Sequence, residues 1–216
     1  MIKNLKCVIF DLDGVITETS NQHFEAWQHM ASKIGISLEP SFEEQLKGVS
    51  RKESLERILR YGNVSLSEEE KIQYQKEKND HYQQLISTFN QTQLFDGVKE
   101  LITHLKERHI KVALGSASKN GPSLIQALGI AKSFDYVVDP SQCRSKPEPD
   151  IFLDAMHHFG FSKEECLGIE DAKAGVKAIK AAGMKAIGIG SAEQLNEADI
   201  VFPTTLEAAQ WLMSQT

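Results

Sequence analysis

Apolar positions follow two rhythms along this chain. Four short β-branched runs, "CVIF" (7–10), "KVALGS" (111–116), "CLGI" (166–169) and "KAIGIG" (185–190), lack the polar alternation of a half-solvated sheet. They therefore predict buried parallel strands. "YVVD" (136–139) and "DIVF" (199–202) predict two more. Between them, apolar residues recur at helical spacing in "VKELITHLKERH" (98–109), "KNGPSLIQALG" (119–129), "DIFLDAMHHFG" (150–160) and "DAKAGVKAIKAAG" (171–183). Several of these runs close on a glycine, as a helix C-cap does. Strand, helix and strand in this order predict right-handed crossovers and an α/β fold with a doubly wound, Rossmann-like parallel sheet.

The stretch 19–93 breaks that alternation. It carries amphipathic runs such as "NQHFEAWQHMASKIG", "RKESLERILRYG" and "SEEEKIQYQKEKNDHYQQLIS", with no convincing strand. It reads as an all-helical insert between an α/β core of residues 1–18 and 94–216, with hinges near "ITETS" and "NQTQLFDG".

Composition narrows the partners. A chain of 216 residues, 41% hydrophobic, suffices for one sizeable core with a smaller insert. The formal charge of -6 argues against a broad nucleic-acid or membrane surface, so any anionic ligand must be met locally. Cys7, Cys143 and Cys166 are odd in number and widely spaced, fitting neither a disulfide framework nor a paired metal site. Met1 to Lys6 runs into a strand with no small-residue cleavage site, and a cytoplasmic protein is expected.

Candidate chemistry lies where strands end. In "VIFDLDGVIT", Asp11 and Asp13 flank Leu12, and the turn at Gly14 lets both carboxylates converge on one small volume. One could act as nucleophile or metal ligand while the other trades a proton; an Asx turn is the alternative. "LGSASKNG" ends the second strand with Ser116 and Ser118, then sets Lys119 and Asn120 at a helix start, where free N–H groups and a cation suit phosphate, or where a serine merely caps. "CRSKPEPD" sets Lys146 in a Pro-rich loop, and "LGIEDAKAG" ends a strand on Glu170 and Asp171. Four acidic residues at one sheet edge repel one another unless a cation joins them, and oxygen ligation with phosphate nearby indicates Mg²⁺.

In this order, these stretches resemble the haloacid dehalogenase superfamily of phosphotransferases over nearly the whole chain, the insert corresponding to its helical cap domain. "DLDGVITET", "KGVSRKESL", "EKNDHY", "SASKNGP", "SKPEPDIF" and "GIEDAKAGVKAIKAAG" are similar to its hexose-phosphate mutases. The resemblance implies interconversion of β-glucose 1-phosphate and glucose 6-phosphate through an aspartyl phosphate and a bisphosphate, by a monomer whose partners are the sugar phosphate and its bisphosphate. A phosphatase of the same fold is the alternative, and a non-catalytic binding protein would have lost one of the core residues.

By the same resemblance, Asp11 is the nucleophile and Asp13 the general acid and base. The metal site is Asp11, Asp13 through its backbone carbonyl, Glu170 and Asp171, with Asp171 preferred over Glu170 as a direct ligand. Ser116 and Lys146 hold the transferring phosphoryl group. Gly48, Val49 and Arg51 supply a second, non-reacting phosphate site on the cap, the glycine by permitting close approach and the arginine by its fork of donors. Ser54, Lys78 and Asn79 face the sugar from the cap, and Ala117, Ser118, Lys119 and Asn120 face it from the core. Thr19 and His23 lie at the hinge, where closure couples sugar binding to the placing of Asp13. Trp27 joins the substrate-binding group, with a plain core role as its alternative. His157 and His158 read as structural, and Glu18 departs from the mutase pattern, which commonly has Asp there.

Overall fold

A computed structural model describes residues 4–216; residues 1–3, the start of the expected core segment and of its Met1–Lys6 lead-in, lie outside it. The sheet has six parallel strands: β1 (Cys7–Phe10), β2 (Lys111–Leu114), β3 (Tyr136–Val137), β4 (Cys166–Glu170), β5 (Lys185–Ile189) and β6 (Ile200–Phe202). They lie in the order β3-β2-β1-β4-β5-β6, the doubly wound arrangement the sequence predicts. The two outer strands are shorter than "YVVD" and "DIVF" suggest.

Strand alternation divides the core into two layers. Val8 and Phe10 face α4 (Val98–Glu107), α5 (Gly121–Ala127) and α8 (Thr205–Gln215), contacting a cluster that includes Leu101, Leu124 and Leu212. Cys7 and Ile9 point the other way, into the cluster of Ile151 and Phe152 from α6 (Asp150–Phe159) and Val176 and Ile179 from α7 (Lys173–Ala181). Helix α5 begins at Gly121 rather than Lys119, because Pro122 suits its first turn. No run quoted from the sequence anticipates α8.

Residues 20–85 hold α1 (Ser20–Lys33), α2 (Arg51–Gly62) and α3 (Glu68–Leu85), with a 3₁₀ turn at Pro40–Gln45. They have an apolar cluster of their own, built on Phe24, Trp27, Met30, Leu55 and Ile58. Ser67 and Glu70 start α3 with a reciprocal capping box. The chain returns to the sheet where Thr17 bridges Leu94 and the Thr17 hydroxyl donates to the Gln93 carbonyl at 2.7 Å. No helix among the described residues is long and apolar enough to cross a membrane.

Candidate active site

Strand order determines which side chains meet. β1 lies between β2 and β4, so Asp11 after β1, Ser116 beyond β2, and Glu170 and Asp171 at the end of β4 share one stretch of the carboxyl edge. Gly14 has φ +75, and its α-carbon packs so closely on the Asp171 carboxylate that any side chain there would displace it. Lys146, in the loop before α6, reaches down to this edge and is fully buried; its peptide bond to Pro147 is cis. Its Nζ donates to Asp11 Oδ1 at 2.6 Å and to Glu170 Oε1 at 2.7 Å. Burial alone would push this ammonium down, but Asp11 and Glu170 hold it well above its usual value.

The carboxylates divide by environment. Glu170 uses both oxygens, the second accepting from the Ala172 N–H at 2.7 Å, so it positions Lys146. Ligand atoms of Asp11, Glu170 and Asp171 lie within 4.8 Å of one another. Burial, then repulsion from Glu170 and Asp11, raises Asp171 well above the carboxylate range. Burial also raises Glu170, against the pull of Lys146. An all-oxygen donor set whose ionised form is this unfavourable fits a hard divalent cation, whose charge offsets the repulsion.

Asp13 stands above this floor, its side chain 24% exposed to the cleft. Burial of the site, then Asp11 and Glu18, pushes it up to about 8, against Lys78 and Lys146. One oxygen accepts from the Thr19 hydroxyl, and the other lies 3.9 Å from His23 Nε2. Burial and the cations of Lys78 and Arg51 hold His23 well below its usual value. Its neutral ring therefore accepts at Nδ1 from Lys78 Nζ, 2.6 Å away. Lys78 is itself lowered by burial and by Arg51, and rests over the rings of Trp27 (4.9 Å) and Tyr82 (4.8 Å).

One cleft, open at its mouth, joins the sheet edge to the helical segment. Asp11, Asp13, Ser116, Ala117, Ser118 and Asp171 line it from the sheet. His23, Trp27, Gly48, Val49, Arg51, Ser54 and Lys78 line it from the helical segment. Gly48 has φ +70 and brings its loop against Ala172, beside Asp171, where an added Cβ would be 3.0 Å from the Ala172 Cβ. Arg51 donates to Asn79 Oδ1 at 2.6 Å, and Asn120 donates to the same oxygen at 2.9 Å, so one amide joins the helical segment to the core. Thr19, Asn79, Asn120, Lys146 and Glu170 act behind the lining. Lys119 stands outside it: at the turn before α5 it is exposed, with Asp139 as its charged neighbour.

Sequence reasoning missed several participants. Glu43, Leu46 and Lys47 line the cleft, and Lys47 opposes the rise of Asp171; it directly precedes Gly48, in a motif already singled out. Ser145 Oγ accepts from the Ser50 N–H at 2.8 Å, tying the start of α2 to the Lys146 loop. Tyr82 is four residues after Lys78, hence on the same helix face, and it closes the motif "EKNDHY" already singled out.

Comparison with known proteins agrees with this geometry. A family model described as haloacid dehalogenase-like hydrolase matches residues 5–183. The chain is 42% identical to β-phosphoglucomutase of Bacillus subtilis, covering 98% of this chain and 95% of that one. It superposes on a crystal structure of β-phosphoglucomutase from Clostridium difficile with TM-score 0.93 and 41% identity, covering 98% of each chain. It is also 29% identical to a phosphorylated carbohydrates phosphatase of Thermotoga maritima, over 89% of this chain and 88% of that one.

Proposed function

The chain belongs to the haloacid dehalogenase-like hydrolase family, and from that premise we propose that it interconverts β-D-glucose 1-phosphate and D-glucose 6-phosphate through an aspartyl phosphate and glucose 1,6-bisphosphate. The observation that carries this reading is one cleft lined on opposite sides by Asp11, Asp13 and Ser116 and by Arg51 and Ser54. A phosphatase needs the first group alone. An isomerase must also hold a second phosphate while the first reacts, and Arg51 is suited to that by its planar fork of donors.

Asp11 attacks phosphorus and becomes the acyl phosphate; Ser116 and Lys146 hold the transferring oxygens, where charge is spread in the transition state. Asp13 takes the proton from the attacking sugar hydroxyl, and returns it when the bisphosphate, turned around, gives its other phosphate back to Asp11. Mg²⁺, held by Asp11, Asp171 and the Asp13 carbonyl with Glu170 behind them, would neutralise charge between nucleophile and phosphoryl group. Residues 19–93 act as a cap that closes about the linkers near 16–20 and 90–97, and Lys78, Asn79 and Asn120 orient the sugar as it shuts. The protein works as a cytoplasmic monomer.

Product analysis tests this directly. With β-glucose 1-phosphate, Mg²⁺ and a trace of bisphosphate, ³¹P NMR should show glucose 6-phosphate accumulating. Release of inorganic phosphate in its place would assign a phosphatase.

A further inference from the structure

Ser67 with Glu70 ahead of α3, and Ser162 with Glu165 ahead of β4, each complete a reciprocal capping box. At the start of α2 the same spelling, Ser50 with Glu53, is only half made. The Glu53 N–H donates to Ser50 Oγ at 3.3 Å, but the Glu53 carboxylate turns along the helix and accepts from Arg57 and Arg60, both on Oε1. The Ser50 N–H crosses to the core instead, donating to Ser145 Oγ at 2.8 Å, 95 positions away. Ser145 is itself fixed from both sides. Arg144 donates to Asp150 at the head of α6 from its main chain at 3.0 Å and from its guanidinium at 2.8 Å, and Lys146 is tied to Asp11 and Glu170. One hydrogen bond thus joins the loop that bears Lys146 to the residue before Arg51.

We propose that Ser145 is the latch of the cap and a positioning residue for Arg51: its hydroxyl claims the Ser50 N–H when the cap closes, and Glu53 takes that N–H back when the cap opens. The inference rests on the mutase reading, in which Arg51 meets the non-reacting phosphate as the cap shuts. Closing the box in the open arrangement is sterically ordinary, since at Ser67 the carboxylate three residues on reaches the N-cap N–H at 2.7 Å. It also leaves the arginines in place, because they use Oε1 and the box needs only Oε2. The N–H is therefore paired in both arrangements, which keeps them close in free energy and lets bound substrate decide between them. In the closed one, the bond to Ser145 sets where α2 begins relative to Lys146, and hence how far apart the two phosphate-binding elements stand.

Two substitutions with opposite signs test the exchange. Ser145→Ala removes one neutral hydrogen bond from the closed arrangement alone, where it is present in the bound complex and the transition state alike. KM for β-glucose 1-phosphate should therefore rise roughly 3- to 10-fold with kcat little changed. Ser145→Thr, which keeps the hydroxyl, should recover most of that loss. Glu53→Ala removes the competitor from the open arrangement alone, its arginine contacts being common to both, so KM should fall by about 3-fold or more. A serine that merely supports its loop gives no reason for that fall. Single-turnover phosphorylation of Asp11 by acetyl phosphate, which uses Lys146 without the cap, should proceed in Ser145→Ala at the wild-type rate. An unchanged KM in Ser145→Ala, a KM that does not fall in Glu53→Ala, or phosphorylation that drops along with affinity would each overturn the proposal. Wild-type enzyme in the same assay separates the two readings: a wild type that makes no glucose 6-phosphate defeats the mutase assignment and the latch with it, whereas a wild type that isomerises beside an unaffected Ser145→Ala defeats the latch alone.

Discussion

Asp11 and Asp13 are two residues apart, and their surroundings differ as the roles proposed for them require. Asp11 is fastened to Lys146 at the floor, whereas Asp13 hangs in the cleft between Thr19 and His23. Asp11→Asn should abolish phosphoryl transfer with the fold intact, since an amide is a poor nucleophile; phospho-enzyme detected by mass spectrometry in that variant would refute its role. Asp13→Asn should slow transfer to and from the sugar by roughly 10²- to 10⁴-fold. Acetyl phosphate, whose leaving group needs little proton assistance, should still phosphorylate Asp11 in Asp13→Asn, and an equal loss with that donor would make Asp13 structural. At this scale the sequence was highly legible for groups at strand ends, because a carboxylate closing an apolar run has no packing reason to be there. It was poorly legible for Glu170 and Tyr82. Which partner occupies the Glu170 oxygens depends on a residue 24 positions away, Lys146, and the surroundings of the Tyr82 ring depend on His23 and, across Lys78, on Trp27, far from it in sequence.

Among the elements, β4 and α7 hold the floor in place through one glycine. Gly175 packs on the Glu170 carboxylate so tightly that a methyl group would drive Glu170 off Lys146. Gly175→Ala should therefore cost roughly 1 to 3 kcal/mol of stability, about 3 to 10 °C in melting temperature, and lower activity more than a surface Gly→Ala change such as Gly160→Ala. Equal activity losses in the two variants would contradict the packing argument. The central strands were readable from continuous apolar runs, and the helices flanking them from their period. Helix α8 escaped because "TLEAAQWLMSQ" has small and polar residues interleaved with its apolar ones, so it shows little contrast until it packs on α4. Helix α3 shows the converse: polar along most of its length, it buries only Lys78 and Tyr82, and the spacing of four puts both on one face.

For the whole molecule, metal and proton compete for one set of carboxylates. Asp171 is raised in the folded state, so the metal-free fold favours a proton there that Mg²⁺ must displace. Raising the pH removes that proton and strengthens metal binding. The gain in melting temperature on adding Mg²⁺ should thus grow as the pH is raised, while groups such as His23 that titrate in both forms largely cancel from the difference. A gain independent of pH would mean that Asp171 is not a ligand. Chelation should silence the enzyme, and Mg²⁺ should restore it.

Isomerisation as proposed also depends on the molecule as a whole, because it would join a phosphate site on the helical segment to a nucleophile on the sheet. Arg51 carries that link, lining the cleft and bound through Asn79 to Asn120 of the core. Arg51→Ala removes a charge-assisted contact worth about 1.5 to 3 kcal/mol, a loss of roughly 10- to 150-fold in turnover of glucose phosphate. Arg51→Lys should recover only part of it. The decisive measurement pairs steady-state isomerisation with single-turnover phosphorylation of Asp11 by acetyl phosphate, in wild type and Arg51→Ala. The account predicts that isomerisation falls while phosphorylation by the small donor proceeds at the wild-type rate; isomerisation undiminished in the variant would contradict it.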